Sequence, residues 1–210
     1  MNWVLAAGRK GRGEGEMGDN EKARKIRCFI AVEISDEARA ELSRIIGILK
    51  GSRSDVKWVV PDSVHLTMKF LGYISEEKVP AITGKLDGIA REMGPFDMML
   101  SGIGVFPDWG YARVLWVGVG DGSEKAKDLA ACVEEAMAQQ GFEKEKRSFS
   151  PHLTLGRIRT SKNKNELKKL TDTIEVRPAA IRISRIVLFR SDLTPKGAVY
   201  TPLHTADLSA

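Results

Sequence analysis

The sequence predicts an α+β fold, in which helices alternate with groups of strands along the chain. Three observations predict it. In some segments apolar residues recur at helical spacing, and in others they alternate with polar residues. Several consecutive strand segments are close enough in sequence to pair antiparallel. The second half of the chain repeats the order of the first, which indicates two related halves.

The folded part of the chain is predicted to begin at Arg27. Residues 3–7 form an apolar segment that is too short for the core of a signal peptide. Residues 8–25 are rich in glycine and charge and contain almost nothing to bury. We therefore expect residues 1–26 to be a flexible extension and residues 27–210 to form a single domain.

In the first half, the apolar run at 28–32 predicts a buried strand. Ser35 is predicted to cap a helix, because two carboxylates follow it in the first turn, and Gly51 is predicted to end that helix. The other elements expected in this half are strands at 56–60 and 63–71, a helix through 79–93, and strands at 97–103 and 113–119.

In the second half, Ser123 is predicted to cap a helix that Gly141 ends. Shorter periodic segments follow it, in the same alternation of strand and helix. The remaining elements expected are a strand at 152–158, a short basic helix at 165–171, and strands at 181–190 and 198–205.

Composition excludes several classes of protein. Apolar residues make up 42% and charged residues 29% of the 210-residue chain, as in globular domains, which excludes disordered and collagen-like proteins. No segment approaches the roughly 18 consecutive apolar residues of a membrane-spanning helix. Cys28 and Cys132 are far apart and lack the spacing of metal ligands. We expect a reduced, cytoplasmic protein with no membrane segment and no metal.

The positive charge is unevenly distributed. The net charge is +5, and residues 157–190 hold ten Lys and Arg against three Asp and Glu, so this segment alone carries +7. The rest of the chain is slightly acidic, at −2. A basic segment favours a polyanionic partner such as RNA or a phosphate-bearing metabolite, although solvated basic faces also serve solubility.

Two short segments carry the strongest functional signal. Two of the three histidines begin near-identical tetrapeptides, His-Leu-Thr-Met at 65–68 and His-Leu-Thr-Leu at 152–155. Side chains alternate between the faces of a strand, so each segment would place its histidine and threonine on one face and its apolar residues on the other. One isolated strand histidine is most often structural, but two matching copies favour a shared site.

An imidazole beside a hydroxyl suits displacement at phosphorus. If the two strands face each other across a groove, His65 and His152 would lie on opposite sides of a bound phosphate. One neutral imidazole could take a proton from water while the protonated one gives a proton to the leaving oxygen. An ordinary pKa of about 6.5 would let the pair hold one proton between them near neutral pH. Thr67 and Thr154 could donate hydrogen bonds to nonbridging phosphate oxygens.

The chain resembles the two-histidine phosphoesterase superfamily, and most closely its RNA 2′,3′-cyclic phosphodiesterase branch, also called 2′-5′ RNA ligase or LigT-like. The likeness extends from Arg27 nearly to the C-terminus and includes both His-x-Thr-x segments, 87 residues apart. The segments that carry it are Arg-Cys-Phe-Ile-Ala-Val-Glu at 27–33, Val-His-Leu-Thr-Met-Lys-Phe-Leu-Gly at 64–72, Gly-Val-Phe-Pro at 104–107, Pro-His-Leu-Thr-Leu-Gly-Arg at 151–157 and Leu-Phe-Arg-Ser-Asp-Leu-Thr-Pro-Lys-Gly at 188–197.

The resemblance also implies an architecture. Residues 27–210 would form one bilobal domain of two pseudo-symmetric lobes. Each lobe would hold an antiparallel sheet with helices packed on its outer face and one His-x-Thr-x strand, and the active-site groove would lie between the lobes. Residues 1–26 have no counterpart in the usual pattern of the family.

The activity implied by the resemblance is opening of a terminal 2′,3′-cyclic phosphate on RNA to a 2′-phosphomonoester, without a metal or cofactor. The family pattern assigns His65 as proton donor and His152 as proton acceptor, with Thr67 and Thr154 holding the phosphate. The partner would be RNA with a cyclic-phosphate end, such as a tRNA fragment, and we expect a monomer. The alternatives are 2′-5′ RNA ligation, hydrolysis of a small cyclic nucleotide, or a module that binds RNA or nucleotides without chemistry.

Several other residues have two interpretations. Strand alternation places Arg157 on the apolar side near the end of its strand, where it would contact phosphate or form a surface ion pair. Lys69 would share the histidine face, where it could be only a rim charge. His204 lacks a threonine two residues later and is expected to be structural. Core packing is expected, ahead of base stacking, for Trp58, Phe106 and Trp109.

Overall fold

The computed structural model describes residues 24–195 and 197–210, and within these ranges it contains nine strands and four α-helices. The strands are β1 (Lys25–Glu33), β2 (Val56–Trp58), β3 (His65–Ser75), β4 (Phe96–Phe106), β5 (Val114–Val119), β6 (His152–Ile158), β7 (Ala180–Ile183), β8 (Arg185–Thr194) and β9 (Gly197–Asp207). The helices are α1 (Asp36–Lys50), α2 (Val79–Glu92), α3 (Ser123–Ala138) and α4 (Lys164–Thr173). In the described part of the chain, none of these helices is long and apolar enough to cross a membrane.

The strands form two antiparallel sheets, which confirms the predicted α+β class. The first sheet has the order β3-β1-β8-β9 and the second the order β2-β6-β5-β4-β7. Apart from β2, the two sheets match position by position. In the first sheet the His-Leu-Thr strand β3 lies beside β1, and in the second sheet the His-Leu-Thr strand β6 lies beside β5. In both cases one α-helix separates the two neighbouring strands in the sequence. These sheets are the two lobes that the resemblance implied.

The two faces of the sheets have different surroundings. Ile30 of β1 and Leu153 of β6 are fully buried in one main core cluster, together with helix residues such as Leu42 and Leu129. Alternate residues of β1 face the other way and belong to a second, smaller cluster. Its members are Phe29, Ala31, Val187 and Phe189. The helices therefore cover one face of the first sheet, and the second apolar cluster lies on the opposite face.

One predicted strand is divided in the structure. The segment 181–190 forms β7 and β8, which lie in different sheets and are separated by Ser184. Ser184 and Arg185 are both exposed, so they interrupt the alternation of buried residues that a continuous strand would keep. The chain leaves the second sheet at this point and enters the first.

The helix cap predicted at Ser123 is wrong by one residue. Gly122 is the N-cap of α3, with a φ of 79°, and Ser123 is the first helical residue. A Cβ at position 122 would lie 2.1 Å from the carbonyl oxygen of Asp97, so only glycine fits this close approach. The cap predicted at Ser35 is confirmed, because its side chain accepts the amide of Ala38.

The first strand begins slightly earlier than predicted. β1 starts at Lys25, two residues before the expected start of the domain, and Ile26 is already buried in the core. The remainder of the predicted extension, residues 1–23, lies outside the described residues.

Candidate active site

The two His-Leu-Thr segments begin equivalent strands. His65 is the first residue of β3 and His152 the first residue of β6. In both strands the histidine and the threonine are half-buried, and the leucine between them is buried. Thr67 and Thr154 therefore lie on the same face as their histidines, as the alternation predicted.

Both imidazoles are held by the same type of backbone contact. Nδ1 of His65 lies 2.9 Å from the carbonyl oxygen of Ser63, and Nδ1 of His152 lies 2.7 Å from that of Ser150. A carbonyl oxygen only accepts hydrogen bonds, so each Nδ1 carries a proton. In the neutral ring Nε2 is then an unprotonated acceptor, and it is the atom available for proton transfer.

His65 lies against aromatic rings of the first sheet. The Phe29 ring stacks on the imidazole with centroids 4.6 Å apart, and the Tyr200 ring meets it edge-on at 5.1 Å. Phe189 extends the stack, with its centroid 5.3 Å from that of Phe29. These rings orient the imidazole and exclude water from the face of it that Phe29 covers.

His152 has aromatic neighbours on the second sheet. The Phe106 ring meets it edge-on at 4.9 Å, and the Trp116 ring lies 6.3 Å away. Core packing was expected for Phe106, but it is half-buried beside His152 and belongs to this site. Position 104 makes room for the indole, because a Cβ on Gly104 would come within 2.3 Å of the Trp116 ring.

Burial lowers the pKa of both histidines. The pKa of His65 falls to about 4 through burial; its hydrogen bond to Ser63 opposes this shift, and the positive charge of Arg39 adds to it. Burial likewise lowers the pKa of His152, against its hydrogen bond to Ser150. The ordinary pKa expected from the sequence is therefore wrong here, and both imidazoles are neutral at pH 7 in the free protein. A bound anion would favour the protonated form.

A bulge directly after each threonine changes which side chains share the histidine face. The pairing of β3 with β1 skips Met68, and the pairing of β6 with β5 skips Leu155. Alternation reverses beyond each bulge. The residue five positions after each histidine, Phe70 or Arg157, consequently returns to the histidine face and is exposed.

Arg157 therefore corrects an expectation. Simple alternation placed it on the apolar side of its strand, but the bulge turns it to the face of His152 and Thr154. Its guanidinium forms no ion pair with any described residue. The hydroxyls of Thr67 and Thr154 likewise make no hydrogen bond within residues 24–195 and 197–210. Three donors on the two histidine faces are thus available to a ligand.

Lys69 does not lie on the histidine face and is not a rim charge, so the prediction for it is wrong. Its ammonium donates to Glu134 of α3 at 2.7 Å and to the carbonyl oxygen of Glu143 at 2.9 Å, and its side chain is 2% exposed. The same carboxylate oxygen accepts the amide of Glu145. The bulge turns Lys69 toward the helices, where it ties β3 to the loop that leads to β6.

The chain also brings β3 and β6 close together, although they belong to different sheets. Cα atoms of the two strands approach within 8 Å. Val59, six residues before His65, donates its amide to the carbonyl oxygen of Leu155 at 3.0 Å. Arg39 fixes the short connection between them by donating to the carbonyl oxygens of Pro61, Asp62 and Val64. His65 is thereby anchored to a segment that runs beside β6.

The other residues that the sequence singled out lie elsewhere. His204 Nε2 is 2.7 Å from Asp87 Oδ1, which is the structural role expected for it. Trp58 and Trp109 pack against the main core cluster, as expected. Among the described residues, no three His, Cys, Asp or Glu side chains gather in the way that a metal site requires.

The match to a known family repeats within the chain. The LigT-like phosphoesterase family matches residues 32–116 and again residues 117–200, so each match contains one His-Leu-Thr strand. The chain belongs to this family. It is 36% identical to the RNA 2′,3′-cyclic phosphodiesterase of Methanothermobacter thermautotrophicus, over 85% of this chain and 97% of the relative. The protein of the same name from Archaeoglobus fulgidus is 35% identical, over 85% and 98% of the two chains.

Solved structures of this LigT-like fold support the same architecture. A crystal structure from Thermus thermophilus superposes with a TM-score of 0.72 at 29% identity, covering 87% of this chain and 98% of the other. The crystal structure of E. coli LigT complexed with 3′-AMP gives a TM-score of 0.69 over 89% and 100% of the two chains. At 23% identity, the second comparison shows the fold alone.

Sequence reasoning missed the aromatic residues around His65. Phe29 lies in a run of apolar residues, and the signal that could have revealed it is that this run is apolar on both faces, so a second covered face must exist. Tyr200 comes from β9, which joins the sheet far along the chain. No local pattern connects Tyr200 with His65, since the contact depends on strand order.

Proposed function

We propose that this phosphoesterase opens the 2′,3′-cyclic phosphate at the end of an RNA strand and leaves a 2′-phosphomonoester. Relatives that this chain covers almost completely carry the name RNA 2′,3′-cyclic phosphodiesterase. The observation that carries the proposal is the equivalent position of His65 and His152 in the two sheets, each beside a threonine whose hydroxyl has no described partner.

In the proposed complex the phosphate lies in the groove between the lobes, with an Nε2 atom on each side of phosphorus. The close approach of β3 and β6 supports this arrangement. So does the carbonyl contact of each Nδ1, which leaves Nε2 as the reacting nitrogen in both rings. The hydroxyls of Thr67 and Thr154 donate to nonbridging oxygens, and the Arg157 guanidinium adds positive charge where the transition state becomes more negative.

The proposed reaction is one in-line displacement with two proton transfers. His152 takes a proton from water at Nε2 while the water oxygen attacks phosphorus. The bond from phosphorus to the 3′ oxygen breaks, and His65 gives its Nε2 proton to that oxygen. The phosphate stays on the 2′ oxygen. The choice of His65 as donor and His152 as acceptor follows the family resemblance, because both rings have the same backbone contact.

Because the pKa of His65 is low, the bound substrate would be needed to protonate this imidazole. In the free protein this imidazole is neutral at pH 7. A phosphodiester anion placed against Nε2 favours the imidazolium and returns the proton that burial removes. We therefore infer that the acid forms on binding, so that a charged imidazole is present only when substrate is there to use it.

The experiment is turnover of a short RNA with a cyclic-phosphate end in excess chelator, followed by separation of 2′- and 3′-phosphate products. We expect only the 2′-phosphate, and we expect His65→Ala and His152→Ala each to be slower by about 100-fold or more. His204→Ala removes the third histidine, which pairs with Asp87, and should keep the rate. Absence of turnover in the unmodified protein, or a 3′-phosphate product, would overturn the proposal.

A further inference from the structure

The basic residues between 157 and 190 differ in whether they are paired. Those from Lys168 in the middle of α4 onward mostly have carboxylate partners. The pairs are Lys168 with Asp172, Lys169 with Glu166, Arg182 with Asp97, Arg185 with Glu33 and Arg190 with Asp192. Arg157, Arg159 and Lys164 form no ion pair with the described residues. The uncompensated charge is therefore concentrated where β6 ends and α4 begins.

A cavity of ≈ 130 Å³ lies at this end of the second sheet. Its lining includes Arg113, Arg159 and Lys164 and contains no Asp or Glu. Lys164 donates to the carbonyl oxygen of Gly110 at 3.2 Å, which holds its ammonium at the cavity. Three cations around an opening with no acidic group favour an anionic ligand.

An exposed aromatic ring lies beside these cations. Tyr111 lines the same cavity and is 76% exposed. Its loop is ordered by Asp108, whose carboxylate accepts the amides of Gly110 and Tyr111. A fixed loop that presents a tyrosine to solvent among cations resembles the combination used to bind single-stranded nucleic acid, in which bases stack on rings and phosphates contact cations.

β6 connects this cavity to the candidate active site. Beyond the bulge at Leu155, Arg157 lies on the face that carries His152 and Thr154. Arg159 follows the last residue of β6, and its amide donates to the carbonyl oxygen of Asp55, so the pairing continues by one residue and alternation gives Arg159 the same face. At a rise of about 3.3 Å per residue, and with one residue taken up by the bulge, Arg159 lies roughly 13 Å beyond Thr154. A phosphate held at Thr154 would be the 3′-terminal one, so this separation suits phosphates one or two nucleotides upstream.

We propose that Arg113, Arg159, Lys164 and Tyr111 form a strand-binding surface for the RNA segment upstream of the cyclic end. The cations contact successive phosphates, and the tyrosine ring stacks on a base. This inference rests on the proposed function, because the reacting end of the same strand occupies the groove at the histidines. The surface would make the enzyme favour oligonucleotides over cyclic mononucleotides.

The test compares 2′,3′-cyclic AMP with a six-nucleotide RNA that ends in a cyclic phosphate. For the double variant Arg113→Ala/Arg159→Ala we expect kcat/KM on the RNA to fall about tenfold or more, through KM, and kcat/KM on the mononucleotide to stay unchanged. The slope of log KM against log salt concentration should decrease by roughly 1.4 for two lost phosphate contacts on a single strand. Equal losses on both substrates, or no loss on the RNA, would overturn the inference.

Matched variants sharpen this comparison. Arg91 is an exposed arginine on α2, and Arg91→Ala should change neither substrate's kinetics. Tyr111→Ala should weaken RNA binding by about fivefold or more, while Tyr111→Phe should keep it, because stacking needs the ring and not the hydroxyl. Loss of binding in Tyr111→Phe, or a similar loss in Arg91→Ala, would contradict the surface.

A binding measurement separates this inference from the proposed function. If the unmodified protein opened neither cyclic substrate, the proposed function would fail. Binding of a six-nucleotide RNA ending in a 2′-phosphate would still test the strand-binding surface without any turnover. We expect the Kd to rise about tenfold in the double variant and not in Arg91→Ala. Equal Kd values for the unmodified protein and the double variant would contradict the inference.

Discussion

The carbonyl oxygens of Ser63 and Ser150 determine which nitrogen of each imidazole can react. Each accepts from Nδ1 of the histidine two residues later. Both Nε2 atoms are therefore lone-pair acceptors in the neutral rings. The two histidines are alike in tautomer and differ in surroundings: Phe29 stacks on His65, and Phe106 meets His152 edge-on.

The lowered pKa values predict an acidic pH optimum for the free protein. The profile of kcat/KM reports groups of the free enzyme, and the proposed reaction needs one imidazole protonated and the other neutral. The pKa of His65 is about 4, and that of His152 lies below its ordinary value of 6.5. We expect kcat/KM to peak below pH 6.5 and to fall as the pH rises, because the proton donor is lost.

NMR titration of the imidazole signals checks this prediction independently of turnover. In the free protein the signals of His65 and His152 should titrate below pH 6.5, and an added phosphate monoester should raise both pKa values. A kcat/KM maximum above pH 7, with both histidines titrating at ordinary values, would show that burial does not lower the pKa values of these imidazoles.

The threonine hydroxyls are expected to act through one hydrogen bond each. Thr67→Val and Thr154→Val keep the side-chain shape and remove the donor, so each should lower kcat/KM by about 10- to 1000-fold. Thr→Ser at either position keeps a hydroxyl and should retain most of the activity. Steady-state kinetics on the cyclic-phosphate RNA measure this effect. Full activity in both valine variants would contradict a role of the threonine hydroxyls in binding the phosphate.

At the scale of the element, the sequence predicted the strand faces of side chains before the bulges that follow Thr67 and Thr154, but not of side chains beyond them. Alternation predicted the faces of His65 and Thr67 correctly, because these residues lie within a regular stretch. It failed for Lys69 and Arg157, which lie beyond the bulges. A bulge is a property of pairing with the neighbouring strand, and the local pattern of apolar residues does not record it.

The buried contact between Lys69 and Glu134 is expected to stabilise the packing of β3 against α3. Lys69→Met leaves the Glu134 carboxylate without its cation, so the free energy of unfolding should fall by about 3 kcal/mol. Denaturant unfolding measures this, with Lys85→Met as control, because Lys85 contacts Gln139 only at the surface. A double variant that also carries Glu134→Gln should recover part of the loss.

An effect below about 0.5 kcal/mol in Lys69→Met, equal to that of the surface control, would contradict this account of β3.

At the scale of the whole molecule, the two lobes share the same strand order but carry different side chains at some equivalent positions. Phe70 and Arg157 occupy the same place in β3 and β6, so one lobe offers an aromatic ring where the other offers a cation. β2 extends only the second sheet. Under the proposed function, this asymmetry would place the phosphates of a bound RNA strand on the second lobe.

The sequence predicted the α+β class and the repeated His-Leu-Thr strands, because both depend on local patterns. It could not assign β8 and β9 to the first lobe. Cys28 pairs with Arg190, so this sheet is completed by segments from opposite ends of the chain. Such pairing is decided by the packing of the whole chain. Because 181–190 was predicted as a single strand, the passage of the chain from the second lobe to the first at Ser184 was not predicted.

The central claim is that two imidazoles act on one phosphorus atom, one as acid and one as base. The most direct measurement uses a cyclic-phosphate substrate in which sulfur replaces the 3′ oxygen, since a thiolate leaves without needing a proton. We predict that His65→Ala opens this substrate at about the rate of the unmodified protein, whereas His152→Ala remains slower by about 100-fold. Equal impairment of both variants on the sulfur substrate would contradict the account.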